Sequence, residues 1–199
     1  MSGETSSGPR GDPQSLRRSL ASFATGVTVV TYAADGEPRG ATVNSFTSVS
    51  LDPALVLVSF GRTTKAAQLL GDRPFTINVL AATQLSLAMN FAGRPSPNLT
   101  VPWSPETAVP RLHGTVAWLE CLPWATYDGG DHLIFVGEVV RYDHRRGEPL
   151  LFHRGEFRTV GPAIADLPPF AMGHGARDSH WIGYAHRLHH VTEPGLVGP

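Results

Sequence analysis

Apolar residues recur along this chain at two periods, and the switch between them predicts its elements. Asp12-Pro13 reads as a helix start, an N-cap carboxylate followed by a proline suited to the first turn. Leu16, Leu20 and Phe23 follow at helical spacing, Arg17 and Arg18 lie off that face, and Gly26 is the expected stop. The pattern then becomes extended. Residues 27–32 are rich in β-branched side chains, Ala34-Asp35-Gly36 supplies a turn, and residues 41–50 alternate hydroxyl-bearing with apolar positions. Residues 55–60 form a nearly unbroken apolar run, expected to be a strand buried on both faces. Residues 63–70 and 84–91 return to helical spacing, with a strand expected between them at 75–80.

Prolines at 95, 97, 102, 105 and 110 forbid regular structure and mark a long loop. Residues 114–121 and 133–142 read as antiparallel neighbours, and short strands near 149–152 and 156–158 close the pattern. Many strands, a few helices and no βαβ repetition predict a mainly β fold with α additions, a β-barrel with helices attached. The expected organisation is an N-terminal arm (1–12), one domain (13–162) and a C-terminal extension (163–199). Within the extension the character shifts from Asp166 onward, Pro168-Pro169 breaks the chain, and the segment is too short for a core of its own.

Composition narrows the function classes. A net charge of −1 gives no reason to expect nucleic acid as a partner, and no apolar run is long enough to span a membrane. The single Cys121 excludes an internal disulfide and a cysteine zinc site, so a cytoplasmic protein is expected. In the extension, His186 and His190 would share a helix face, but no carboxylate is spaced as a third ligand. No metal site is assigned. Trp181, Ile182, Tyr184 and Leu188 suit an arm packed on a hydrophobic surface.

Three stretches carry candidate chemistry. Thr42, Asn44, Ser45, Thr47, Ser48 and Ser50 put many donors beside strand backbone, as a ligand site or as a plain surface strand. Arg62-Thr63-Thr64-Lys65 joins a strand to a helix, where cations, hydroxyls and helix amides suit a phosphate and equally suit a solvated cap. His132 follows Gly129-Gly130-Asp131 and leads into an apolar strand. It could handle a proton near neutral pH or be structural, and the paired glycines would admit a ligand close to the backbone.

The order of these stretches resembles the flavin reductase family with an FMN-binding split-barrel fold, the reductase components of two-component flavin monooxygenases. The resemblance runs through residues 23–30, 41–53, 75–80, Gln84, Phe91-Ala92, 119–121, 130–132 and 149–157. It implies a homodimer with flavin near the subunit interface. Asn44, Ser45, Phe46 and Thr47 would line the isoalloxazine, with Thr42 in the same set and Ser50 at the ribityl end. Arg62, Thr63, Thr64 and Lys65 would meet the phosphate. His132, with Asp131 beside it, would stand on the nicotinamide side and act as the catalytic residue, while Arg154 and Phe157 would border the cleft. Related chains often carry a second hydroxyl where Ala66 stands, which leaves FMN against FAD open. The implied reaction is hydride transfer from NADH or NADPH to FMN or FAD, with reduced flavin passing to a separate monooxygenase. Two alternatives remain at this point: a flavoenzyme that keeps its flavin and acts on its own substrate under the tail, and a non-catalytic flavin- or haem-binding module.

Overall fold

Strand order explains the architecture. The computed structural model describes residues 12–162 apart from Glu106. The chain divides into two units, Met1–Val160 and Gly161–Pro199, and the first is described by itself. The expected arm, the extension and its histidines lie almost wholly outside the described residues.

After helix α1 (Pro13–Leu20) come strands β1 (Thr25–Gly26), β2 (Thr28–Ala34), β3 (Glu37–Val43), β4 (Thr47–Leu51) and β5 (Ala54–Gly61). Helix α2 (Lys65–Leu70), β6 (Phe75–Val79), a 3-10 turn (Ala82–Gln84) and α3 (Leu85–Phe91) follow. A long hairpin, β7 (Ala117–Gly129) and β8 (His132–His144), precedes the short β9 (Leu151–His153) and β10 (Glu156–Arg158). The large sheet has the order β3-β2-β6-β7-β8-β5-β4, every neighbour antiparallel, and β1-β9-β10 form a small second sheet.

β3 and β4 are the two edges of the seven-stranded sheet, yet only Asn44-Ser45-Phe46 separates them in the chain. Four residue steps from Val43 to Thr47 reach at most ~14 Å. In a flat sheet those edges would stand ~29 Å apart, six spacings of ~4.8 Å. The sheet is therefore rolled, and its edges approach each other along a seam. This corrects the expectation of one continuous strand over 41–50: the chain breaks at 44–46 because it must cross that seam.

The core lies on both sides of β2. Thr28, Val29, Val30, Thr31 and Tyr32 are all nearly inaccessible. Val30 and Tyr32 join the main cluster with Val58, Phe60, Phe75, Ile77 and Phe135. Val29 joins a second cluster with Leu80, Ala88, Leu112 and Leu150, covered by α3. β5, expected to be buried on both faces, is fully buried only at alternate positions (Val56, Val58, Phe60), with Leu55, Leu57 and Ser59 half-buried. Double burial belongs to β2 instead, because α3 and the proline-rich loop cover its outer face. Helix α2 seats Ala66, Ala67 and Leu70 on the main cluster; full burial of Leu70 contributes roughly 2 kcal/mol. Helix α1 ends at Leu20, with Ala21 as its C-cap, and Gly26 lies in β1 opposite Leu151 rather than stopping the helix.

The proline-rich loop is fixed by buried Asn78. Its Nδ2 donates to Val29 O (2.8 Å) and to Thr31 Oγ1 (2.9 Å), and its Oδ1 accepts from Leu112 N–H (2.9 Å). A buried amide whose donors and acceptor are all used rigidifies the return of the loop to the sheet.

Candidate active site

A cleft of about 660 Å³ follows the seam, within the usual range for small-molecule sites. Its floor is β3 from Arg39 to Val43 with Asn44 and Ser45, and its walls are the end of β5 (Ser59, Phe60, Gly61), helix α2 and its cap (Thr64, Lys65, Leu69), and Phe91-Ala92-Gly93. His132 stands at the rim, opposite Gly61 in the β5–β8 register. From Arg39 to Asn44 the floor runs roughly 17 Å at strand rise. Among the described residues lining the cleft, Arg39 and Lys65 are cationic and none is acidic.

Several hydroxyls of the seam are already committed. Ser45 Oγ donates to Ser59 O (3.0 Å) and accepts from Ser59 N–H (2.9 Å), so this side chain pins the crossing segment to β5. Thr42 Oγ1 donates to Ala88 O (2.7 Å) and ties β3 to α3. Thr64 is the N-cap of α2: its Oγ1 accepts from Ala67 N–H (3.2 Å) and donates to Gly61 O (2.8 Å). The Thr64 hydroxyl and the Ala67 amide are thus committed to the cap of the six-residue helix α2. Asn44 is exposed and carries no fold-holding side-chain bond among the described contacts.

His132 sits on the first residue of β8, after a two-residue turn. Gly130 has φ +76°, and this left-handed backbone is what the turn requires of glycine at its first central position. Of the paired glycines, Gly130 serves the turn, while Gly129 is the last residue of β7. Asp131 Oδ1 lies 2.7 Å from His132 Nδ1, which leaves Nε2 on the side of Gly61 and the cleft. The Asp131 carboxyl is held below the usual range, first by its hydrogen bond from His132 and then by the imidazole's charge. Arg62 Nε donates to Gly130 O (2.6 Å), its guanidinium pairs with Asp128, and its N–H donates to Asp131 O (3.0 Å). Asp128 also accepts from Gly130 N–H (3.0 Å); this bond first, and Arg62 second, hold its carboxyl low.

Of the residues expected from sequence, Thr42, Asn44, Ser45, Thr64, Lys65 and His132 meet at this cleft. Phe46 instead packs against the main core cluster. Thr47 and Ser50 continue into β4, Thr63 is exposed in the turn before α2, and Arg62 and Asp131 belong to the hairpin bonds just described. Arg154 lines a second cleft of about 560 Å³ with Ser19, Leu20, Phe23, Thr25 and Phe152, and Asn44 is common to both clefts. Phe157 supports that region from behind, its ring edge-on to Phe152 at 5.2 Å. Sequence reading missed Arg39, Tyr32 and Phe91 as lining residues. Arg39 was hidden because the strand was expected to begin at 41, whereas β3 begins at Glu37; the pairing of Arg39 with Tyr32 shows it only in the register.

A rolled antiparallel sheet with an anion-compatible seam cleft and a histidine at its rim defines a β protein with a small-molecule site, and comparison with known proteins specifies it. Residues 20–161 match the family of the flavin reductase like domain, and the chain belongs to that family. An NADH-dependent FAD reductase of Streptomyces globisporus is 44% identical over 162 residues, covering 76% of this chain and 87% of its own. The FMN reductase (NADH) SmoA of Agrobacterium fabrum is 45% identical over 147 residues, covering 72% and 84%. Among solved structures, BorF, the flavin reductase component of a bacterial two-component tryptophan halogenase, superposes with a TM-score of 0.67 at 42% identity. That match covers 76% of this chain and all of BorF.

Proposed function

We propose that this protein is an NADH-dependent flavin reductase that transfers a hydride from NADH to FMN or FAD and supplies reduced flavin to a separate flavin-dependent monooxygenase. The seam cleft carries the reading. Its chemistry fits a flavin phosphate ester: two cations line it, no carboxylate opposes them among the described residues, and strand backbone borders the remainder. The flavin supplies the hydride-accepting ring, and the chain's residues bind and orient. Asn44 and the backbone around Ser45 hold the ring edge, while Lys65 and Arg39 hold the phosphate. His132 Nε2 orients the nicotinamide amide, and the second cleft, with Arg154 as its cation, takes the rest of the dinucleotide. Asn44, shared by both clefts, marks where the two rings meet.

The rolled sheet supports the split-barrel reading. Leu16, Leu20, Phe23, Leu51 and Trp124 are each more than half exposed and support a homodimer. A cytoplasmic location accompanies NADH as the donor. Among the described residues no helix is long and apolar enough to cross a membrane.

The test is NADH consumption by the purified chain with FMN, with FAD and with no added flavin. Turnover that depends on added flavin is expected. A protein that retains flavin and ignores added flavin would sink the diffusible-flavin reading in favour of a dedicated flavoenzyme, and no oxidation at all would favour a binding module.

A further inference from the structure

We infer that Arg62 is a positioning residue for His132, acting through the tip of the β7–β8 hairpin rather than on a flavin phosphate; this rests on the proposed nicotinamide role of His132. Arg62 follows Gly61, the residue paired with His132 in the sheet. It approaches the turn from three directions: its N–H to Asp131 O (3.0 Å), its Nε to Gly130 O (2.6 Å), and its guanidinium to the Asp128 carboxylate. Asp128 in turn accepts from Gly130 N–H (3.0 Å), so one carboxylate links the guanidinium to the turn backbone. Asp131 then receives His132 Nδ1 at 2.7 Å, and that contact sets which ring nitrogen faces the cleft.

The chain Arg62–Asp128–Gly130–Asp131–His132 therefore fixes an otherwise solvated two-residue turn. Without the Arg62 and Asp128 side chains, the turn bearing Asp131 is held by the strand ladder and the Arg62 backbone N–H to Asp131 O, with nothing fixing Gly130. Arg62 is not among the residues lining the cleft, which agrees with a role outside the ligand's first contacts. The ion pair is exposed, with side chains 40% and 79% accessible, so it adds little to global stability. Its effect is geometric, and that separates it from a structural role.

The experiment measures steady-state kinetics of the full chain and of Arg62→Gln, Asp128→Asn, the double variant, Arg62→Lys and His132→Ala, varying NADH and flavin separately. The single variants are each expected to raise KM for NADH roughly tenfold or more through misplacement of the imidazole, with flavin KM and melting temperature little changed. The double variant should be no worse than the single ones, because both break the same linkage. Arg62→Lys should rescue only in part, since an ammonium lacks the planar fork that serves Gly130 and Asp128 together. A rise in flavin KM for Arg62→Gln with Asp128→Asn silent overturns the inference and returns Arg62 to the phosphate. If His132→Ala impairs NADH use while both Arg62→Gln and Asp128→Asn are silent, the positioning role alone is wrong. If His132→Ala leaves NADH use intact, the nicotinamide reading has failed and the inference falls with it.

Discussion

Ser45 serves the fold and the cleft at once: its hydroxyl closes the seam against Ser59 while the residue lines the cavity. Such sharing limits what residue type can reveal. Thr42 and Ser45 were legible as polar positions, but their partners are Ala88 and Ser59, far along the chain, and no local spacing encodes those bonds. Arg39 and Lys65 have no carboxylate within ion-pair distance among the described residues, so their charge remains available to an anion. Replacing either with alanine should raise the flavin KM roughly 5-fold, about 1 kcal/mol for an exposed charge contact, and leave the NADH KM nearly unchanged. An equal change in both constants would show that the cations do not discriminate the two ligands. Cys121 illustrates the opposite case, a reactive residue type made inert. Burial, followed by the neighbouring Glu120 charge, pushes its thiol up to about 12. The native protein should resist alkylation at mildly alkaline pH and react once unfolded, read by mass spectrometry, because the thiolate is the nucleophile.

At the scale of elements, the β7–β8 hairpin both completes the core and delivers His132. Its middle packs closely: a Cβ on Gly137 would stand 2.5 Å from Phe75 Cζ and 2.8 Å from Cys121 Cβ. Gly137→Ala should therefore cost about 1–3 kcal/mol of stability, seen as a lower denaturation midpoint. A neutral result would mean Phe75 yields easily. The outer end depends on ionised carboxylates. Asp128 and Asp131 have depressed folded values, so their stabilisation of the turn is present above the ordinary Asp value of ~3.9. It disappears as pH falls through the lower folded values. An NMR titration should find the Gly130 amide shift inflecting below ~3.9; an inflection at or above it would contradict the clamp. Sequence reading found both hairpin strands and their antiparallel pairing but stopped β7 at Cys121, eight residues short. Pro123 and the Gly129-Gly130 pair resemble loop chemistry, and only the long register with β8 carries the strand to Gly129.

For the whole molecule, the family resemblance and the strand inventory were visible in the sequence, whereas the rolling of the sheet was not. It depends on β3 and β4 being opposite edges, a property of strand order that hydrophobic periodicity does not contain. Among the described residues one apolar surface stays exposed. Among the described residues helix α1 buries none of its own, yet Leu16 and Leu20 form an apolar face with Phe23 just beyond, all more than half exposed. Leu20 and Phe23 also line the second cleft. A helix this short is marginal alone, so packing against something must hold it. A second copy of the chain is the expected cover, and it would wall the second cleft. Sedimentation should then give twice the monomer mass, and Leu20→Asp should shift the protein toward monomer and raise KM for NADH in the same variant. A monomeric Leu20→Asp variant with unchanged NADH kinetics would separate the interface from the cleft, and a monomeric parent protein would overturn the proposed homodimer.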